Sequence, residues 1–125
     1  MATRNQEKAV CKPEWCPVET TLEVIGGMWK VILIRELLTG TKRYSEMHRA
    51  VRGITHKMLA QQLRELEADG LLTRKVYPVV PPKVEYTLTD AGQRLAPVLE
   101  AMTEWGTAYA GRRSRTRRRL KTAAV

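Results

Sequence analysis

The chain has 125 residues and a 43% apolar fraction, enough for one small domain with one modest core. It has no run of about 18 apolar residues, and MATRNQEKAVCKPEW at its start has no secretion-signal core, so a cytoplasmic protein without membrane spans is expected. A formal net charge of +9 points to an acidic partner, and two cysteines are too few for a disulfide scaffold.

Residues 1–15 show no periodicity and read as a flexible arm. Pro17 suits the first turn of a helix, and Val18, Leu22 and Ile25 recur at helical spacing until Gly26 and Gly27 stop it. A second helix, from about Trp29 to Thr39, is apolar on most sides and reads as the core helix. Ser45 is the expected cap of a short third helix, with Glu46 in its first turn. Thr55 is the expected cap of a fourth, which ends near Asp69 and Gly70.

Two strand-like runs follow, Leu72 to Tyr77 and Val84 to Leu88, each alternating with period two as half-buried strands do. Pro78-Val79-Val80-Pro81-Pro82 between them reads as a stiff loop. Thr89 and Asp90 start a long last helix with Leu95, Leu99, Met102, Trp105 and Tyr109 on its apolar face, and Pro97 marks a bend or a short irregularity. The predicted fold is mostly α with a small β-hairpin, a winged helix-turn-helix over residues 16–110, followed by a basic disordered tail from 111 to 125.

The charge is unevenly spread. Residues 112–121, RRSRTRRRLK, hold seven basic residues and no acid, so the rest of the chain is nearly neutral at +2. Within it, residues 42–64 carry six basic residues against Glu46 alone, a local excess suited to a phosphate backbone.

On a helical wheel with Leu59 at zero, Leu63 and Leu66 fall at about 40° and 340°, the inner side. Lys57, Gln61 and Arg64 fall at about 160°, 200° and 140°, one polar row on the outer side. These residue types bond base edges and phosphates in the major groove. Taken alone, such a row also fits an ordinary solvated face. The short helix before it and the hairpin after it make it a candidate DNA-reading surface. Thr55 and His56 at its N-terminal end, Gln62 beside it, Arg43 and Ser45 on the preceding helix, and Arg74, Lys75 and Lys83 on the hairpin complete the candidate DNA contacts.

Five segments carry a family resemblance: CPVETTLEVIGGMWKVILIRELLTG (16–40), RYSEM (43–47), GITHKMLAQQLRELEADGLLTR (53–74), YPVVPPKVEYTLTDAGQRLAPVL (77–99) and Trp105-Gly106. In them the chain resembles the HxlR-type transcriptional regulators, a winged-helix group related to MarR. The resemblance implies a homodimer built from the first and last helices and bound to palindromic double-stranded DNA, the fourth helix in the major groove and the hairpin on the flanking minor groove. It also implies a regulatory cysteine at Cys16, before a helix start that favours the thiolate, with Cys11 as a resolving thiol and an oxidant or small electrophile as inducer. A purely structural Cys16 is the alternative. The basic tail is outside the family pattern.

No carboxylate pair, Ser/His/Asp set or phosphate loop is present. GGMWK lacks the spacing of such a loop, and Cys11, Cys16, His48 and His56 do not have metal-ligand spacing. The chain is therefore expected to be neither an enzyme nor a cofactor or metal carrier. A non-specific architectural nucleic-acid binder anchored by the tail is the competing function.

Overall fold

Cys16 caps and Pro17 opens helix α1 (Pro17–Ile25), and the N–H of Gly26 closes it on the Leu22 carbonyl at 2.7 Å. The computed structural model describes residues 15–124, and side chains as far as Arg112. Along the α1 stripe Ile25 is buried, while Val18 and Leu22 are 65% and 60% exposed.

Helix α2 (Trp29–Leu38) is the core helix, as its composition predicts, with Leu33, Ile34 and Leu37 buried. It touches α3 (Tyr44–Ala50), α4 (His56–Ala68) and strand β3 (Lys83–Leu88). Before α3 lies a strand the sequence did not announce, β1 (Lys42–Arg43), which pairs antiparallel with β3. A two-residue strand is too short to show a period. Its pairing holds the chain extended to Arg43, so Arg43 rather than Ser45 is the cap of α3. The Glu46 carboxylate accepts the Arg43 N–H at 2.8 Å, and Ser45 lies within the first turn.

Between α3 and α4 the chain turns at Gly53, whose φ of 86° is a backbone state that disfavours side chains. Thr55 caps α4 as expected, its hydroxyl accepting the Met58 N–H at 3.1 Å. Strands β2 (Leu72–Tyr77) and β3 form the hairpin, giving a three-stranded sheet in the order β1-β3-β2. In β2 only Leu72 is buried, so the strand leaves the core immediately and stands out as a wing. At the base of the wing Thr89 starts the short helix α5 (Asp90–Gln93), accepting the Gly92 N–H and donating to the Gly70 carbonyl. A Cβ at position 92 would collide with the Leu71 carbonyl, so only glycine fits there.

The first compact unit ends at Gln93, and Arg94 begins a second. The irregularity expected near Pro97 is a break at Arg94 and Leu95; Pro97 then falls in the first turn of α6 (Ala96–Ala124), where its missing N–H costs nothing. The backbone of α6 stays helical through Ala124, so residues 111–124 of the segment expected to be a disordered tail are helical instead. Arginine, lysine and leucine are good helix formers, and a run of them propagates a helix already nucleated. On α6, Val98, Met102, Trp105 and Tyr109 are exposed at helical spacing, with the Trp105 and Tyr109 rings stacked at 4.7 Å.

Leu63 is completely enclosed in the core. Leu63→Ala is expected to destabilise the protein by about 2–5 kcal/mol, and Val80→Ala, at a 99% exposed site, to stay within about 0.5 kcal/mol of wild type in urea melts.

Candidate nucleic-acid interface

Helix α4 has two faces. Leu59, Leu63 and Leu66 are buried in the core. Lys57, Gln61 and Arg64 are exposed on the opposite side, in the row the wheel predicts, with Thr55 and His56 exposed at the N-terminal end. Gln62 is set back, half-buried, its amide 3.6 Å from the Met58 sulfur.

The N-terminal end of α4 is held to α3 through aromatic rings. His48 and His56, the only histidines in the chain, stack with centroids 3.8 Å apart and planes 5° off parallel. Tyr44 stacks on His56 at 5.8 Å. Its hydroxyl donates to the His56 carbonyl oxygen at 3.1 Å and lies 3.2 Å from Nδ1. Burial, and then the neighbouring Tyr86, raise the pKa of the Tyr44 hydroxyl, so it stays protonated and able to donate. His56 thus serves as a joint in the helix-turn-helix as well as an exposed residue at its tip.

A second tie runs from α2. Lys30 is 8% exposed, and its Nζ lies 2.8 Å from Glu65 Oε1 on α4. The Lys30 ammonium, and after it the side-chain amide of Gln61 one turn earlier, hold the Glu65 carboxyl below its ordinary pKa. Sequence reasoning missed this pair. A signal was present. Lys30 occupies the first position of the core stripe Lys30, Leu33, Ile34, Leu37, where a lysine needs an anionic partner.

The wing candidates divide between two faces. Register pairs Lys75 with Glu85 and Tyr77 with Lys83, which places these four on one face, whereas Arg74 pairs with Tyr86 on the other. The Tyr77 ring sits beneath both Lys75 and Lys83, whose Nζ atoms lie 4.9 and 4.8 Å from its centroid. Lys83 also pairs with Glu85 at 3.4 Å. The Tyr77 hydroxyl, more than Lys83 itself, holds the Glu85 carboxyl low. Arg43, Tyr44 and Ser45 line one side of a cleft of about 470 Å³, and Pro81, Pro82, Lys83 and Val84 the other. Arg43, Ser45 and Lys83 are therefore brought together; Arg74 is turned away from Lys75 and Lys83.

Cys16 lies at the N-cap of α1, is 7% exposed, and is disulfide-bonded. Cys11 lies outside the described residues. Among the described residues no group of three or more His, Cys, Asp or Glu is placed to hold a metal, and no helix is long and apolar enough to cross a membrane.

A helix-turn-helix with an exposed polar row on its second helix, followed by a hairpin wing, is a winged helix-turn-helix, the fold of a class of DNA-binding regulators. The chain matches the HxlR-like helix-turn-helix profile over residues 24–114, and it belongs to that family. It is 54% identical over 99 residues to the HTH-type transcriptional regulator YdeP of Bacillus subtilis (strain 168), covering 79% of this chain and 77% of that one. The structure of the redox regulator HypR in its oxidised form superposes with a TM-score of 0.70 at 55% identity, covering 74% of this chain and 96% of HypR. The reduced form of the transcriptional regulator YodB from B. subtilis superposes at 0.65 with 38% identity, covering 73% and 90%. The chain is a helix-turn-helix transcriptional regulator and not an enzyme.

The lowered carboxyl of Glu65 ties stability to pH. A depressed folded-state pKa contributes stability above the ordinary value of 4.5, and that contribution is lost as pH falls through the lower folded value. Lys30→Met is therefore expected to be clearly less stable than wild type at about pH 7, with the gap narrowing at about pH 3. Urea melts at both pH values check this; an equal gap at both would contradict it.

Proposed function

We propose that the chain regulates transcription as a homodimer that reads a palindromic operator in double-stranded DNA, with Cys16 as an oxidant- or electrophile-responsive trigger. The observation that carries the DNA-reading part is the two-faced α4. Its leucines fix the helix against the core, and so Lys57, Gln61 and Arg64 project as one rigid outward row. In this reading Gln61 contacts a base edge. Lys57 and Arg64 contact bases or phosphates, and Thr55 and His56 present the helix N-terminus to a phosphate. Arg43, Ser45, Lys75 and Lys83 follow the adjoining backbone and minor groove; Arg74 approaches from the other face of the wing, and Gln62 supports the row from behind.

The dimer is supported by apolar stripes that each unit leaves uncovered, Val18 and Leu22 on α1 and Val98, Met102, Trp105 and Tyr109 on α6. Exposed apolar stripes of this kind mark association surfaces. A two-fold dimer sets its two reading helices about 34 Å apart, one turn of DNA.

The redox part is supported by the N-cap position of Cys16, by its disulfide, and by the likeness to the redox regulator HypR. In the proposed step the Cys16 thiol and a second thiol, Cys11, lose two electrons and two protons to a two-electron oxidant as the S–S bond forms. The α1 start then shifts, and with it the dimer.

Selection of bound fragments from genomic DNA should return one palindrome that outcompetes random duplex by at least about a thousandfold. Gln61→Ala should lose most of that preference while keeping salt-sensitive affinity, and deletion of residues 112–125 should weaken binding without abolishing the preference. If the deletion instead removes all binding, the tail-anchored architectural reading takes over. Treatment with diamide should change operator occupancy by wild type and leave Cys16→Ser unaffected; identical behaviour of the two would make Cys16 structural.

A further inference from the structure

We infer that Tyr44 is a specificity-determining positioning residue: it locks the His56 ring with its proton on Nδ1, so that Nε2 is left as an acceptor and takes a base amino group, that of adenine or cytosine, in the major groove. This rests on the reading of α4 as the helix that enters that groove.

A neutral imidazole is an ambiguous reader. One ring nitrogen carries the hydrogen and donates, the other accepts, and the place of the proton decides which is which. With the proton on Nε2, the form an unconstrained histidine favours in water, the ring offers a donor to a phosphate oxygen or to the guanine and thymine acceptors. With the proton on Nδ1, Nε2 offers a lone pair, which a phosphate repels and a base amino group meets. His56 is the first residue of α4 and is exposed, at the end of a reading helix from which side chains reach base edges.

Tyr44 makes the choice. Its Oη lies 3.1 Å from the His56 carbonyl oxygen and 3.2 Å from Nδ1. A hydroxyl has one proton to give, and a carbonyl oxygen can only accept, so the carbonyl contact takes that proton. Oη then has only lone pairs to offer Nδ1. The second contact is a hydrogen bond only when Nδ1 carries the hydrogen and donates it to Oη. Together the two contacts admit one tautomer of the neutral ring. Among the described residues no hydrogen bond engages Nε2.

The arrangement works only if the ring neither swings away nor turns over, and α3 holds it. His48 lies flat against the His56 ring at 3.8 Å, its plane 5° from parallel, and the Tyr44 ring is inclined by only 14°. A half-turn of the His56 ring would set a carbon, Cδ2, against Oη and forfeit the Nδ1 bond. Tyr44 and His48 are half-buried and stand one turn apart on α3, so both act on His56 from one helix face. The helix before the reading helix thus sets the proton position on the reading helix's first side chain. Ring and backbone divide the work there: the N–H groups of the helix start face a phosphate, and the ring takes a base.

The test has two arms, both on the full chain. Long-range proton–nitrogen NMR correlations of the DNA-free protein at about pH 8.5, where imidazole side chains are ordinarily neutral, read the tautomer directly, with His56→Ala assigning the signals. Wild type should show His56 protonated on Nδ1 and bare on Nε2. Tyr44→Phe keeps the ring stack, loses only the hydroxyl, and should move the proton toward Nε2. Selection from a randomised duplex library then compares wild type, Gln61→Ala, His56→Ala and Tyr44→Phe. At one position of each half-site wild type should favour A or C over G or T on the contacted strand, and His56→Ala should erase that preference. Tyr44→Phe should relax it by about three- to tenfold at that position alone, with a smaller change in affinity for random duplex. If wild-type His56 carries its proton on Nε2, the lock does not exist and the inference fails. A preference for G or T at the His56 position overturns it as well. If Tyr44→Phe weakens all positions and random duplex equally, Tyr44 is only structural and the inference fails. If Gln61→Ala removes a base preference and His56→Ala removes none, the inference fails and the reading of α4 survives. If neither changes any base preference, the reading of α4 fails and takes this one with it.

Discussion

The leucine stripe of α4 must be buried, and the core helix α2 is one of the surfaces that buries it. Leu59, Leu63 and Leu66 are almost wholly removed from water, and α2 supplies Leu33, Ile34 and Leu37 to the same core. A 13-residue helix isolated in water would be marginal. Its rigidity comes from this burial, and so does the direction of every side chain on its other face. The turn at Gly53, the cap at Thr55 and the ring stack of Tyr44, His56 and His48 then fix how α3 meets it.

Three acids near the basic region are tied down. Glu46 accepts a backbone N–H, Glu65 is held by Lys30, and Glu85 by Tyr77 and Lys83. Each carboxylate therefore has a local partner and adds little to the outward field. Between residues 42 and 64 the basic side chains outnumber the acidic six to one, so the surface around α4 keeps a positive potential although the body of the protein is close to neutral. The wing shows the same economy on a smaller scale. Lys75 and Lys83 sit over the Tyr77 ring, which holds two like charges near each other without a second acid.

Much of this was legible in the chain. The strand period, the caps and the apolar periodicity locate α1, α2, α4, β2 and β3, and the helical wheel separates the two faces of α4. Where the reading departed from the structure, the cause was physical. The strand β1 is two residues long and forms only because β3 offers it an edge. The basic run in α6 was read from its charge, while its backbone followed the helix propensity of arginine and the helix already running ahead of it.

By itself, then, the sequence determined the order of the main helices and the two hairpin strands, the family, and which residues of α4 point outward, because these depend on local spacing and composition. Tertiary structure alone decided that Lys30 meets Glu65 across 35 residues of chain, that Arg74 and Lys75 stand on opposite faces of the wing, and that both histidines share one stack. Those facts depend on strand register and on how two helices cross. Neither leaves a periodic trace in the residues, because the partners are set by packing between distant segments and not by their neighbours in the chain.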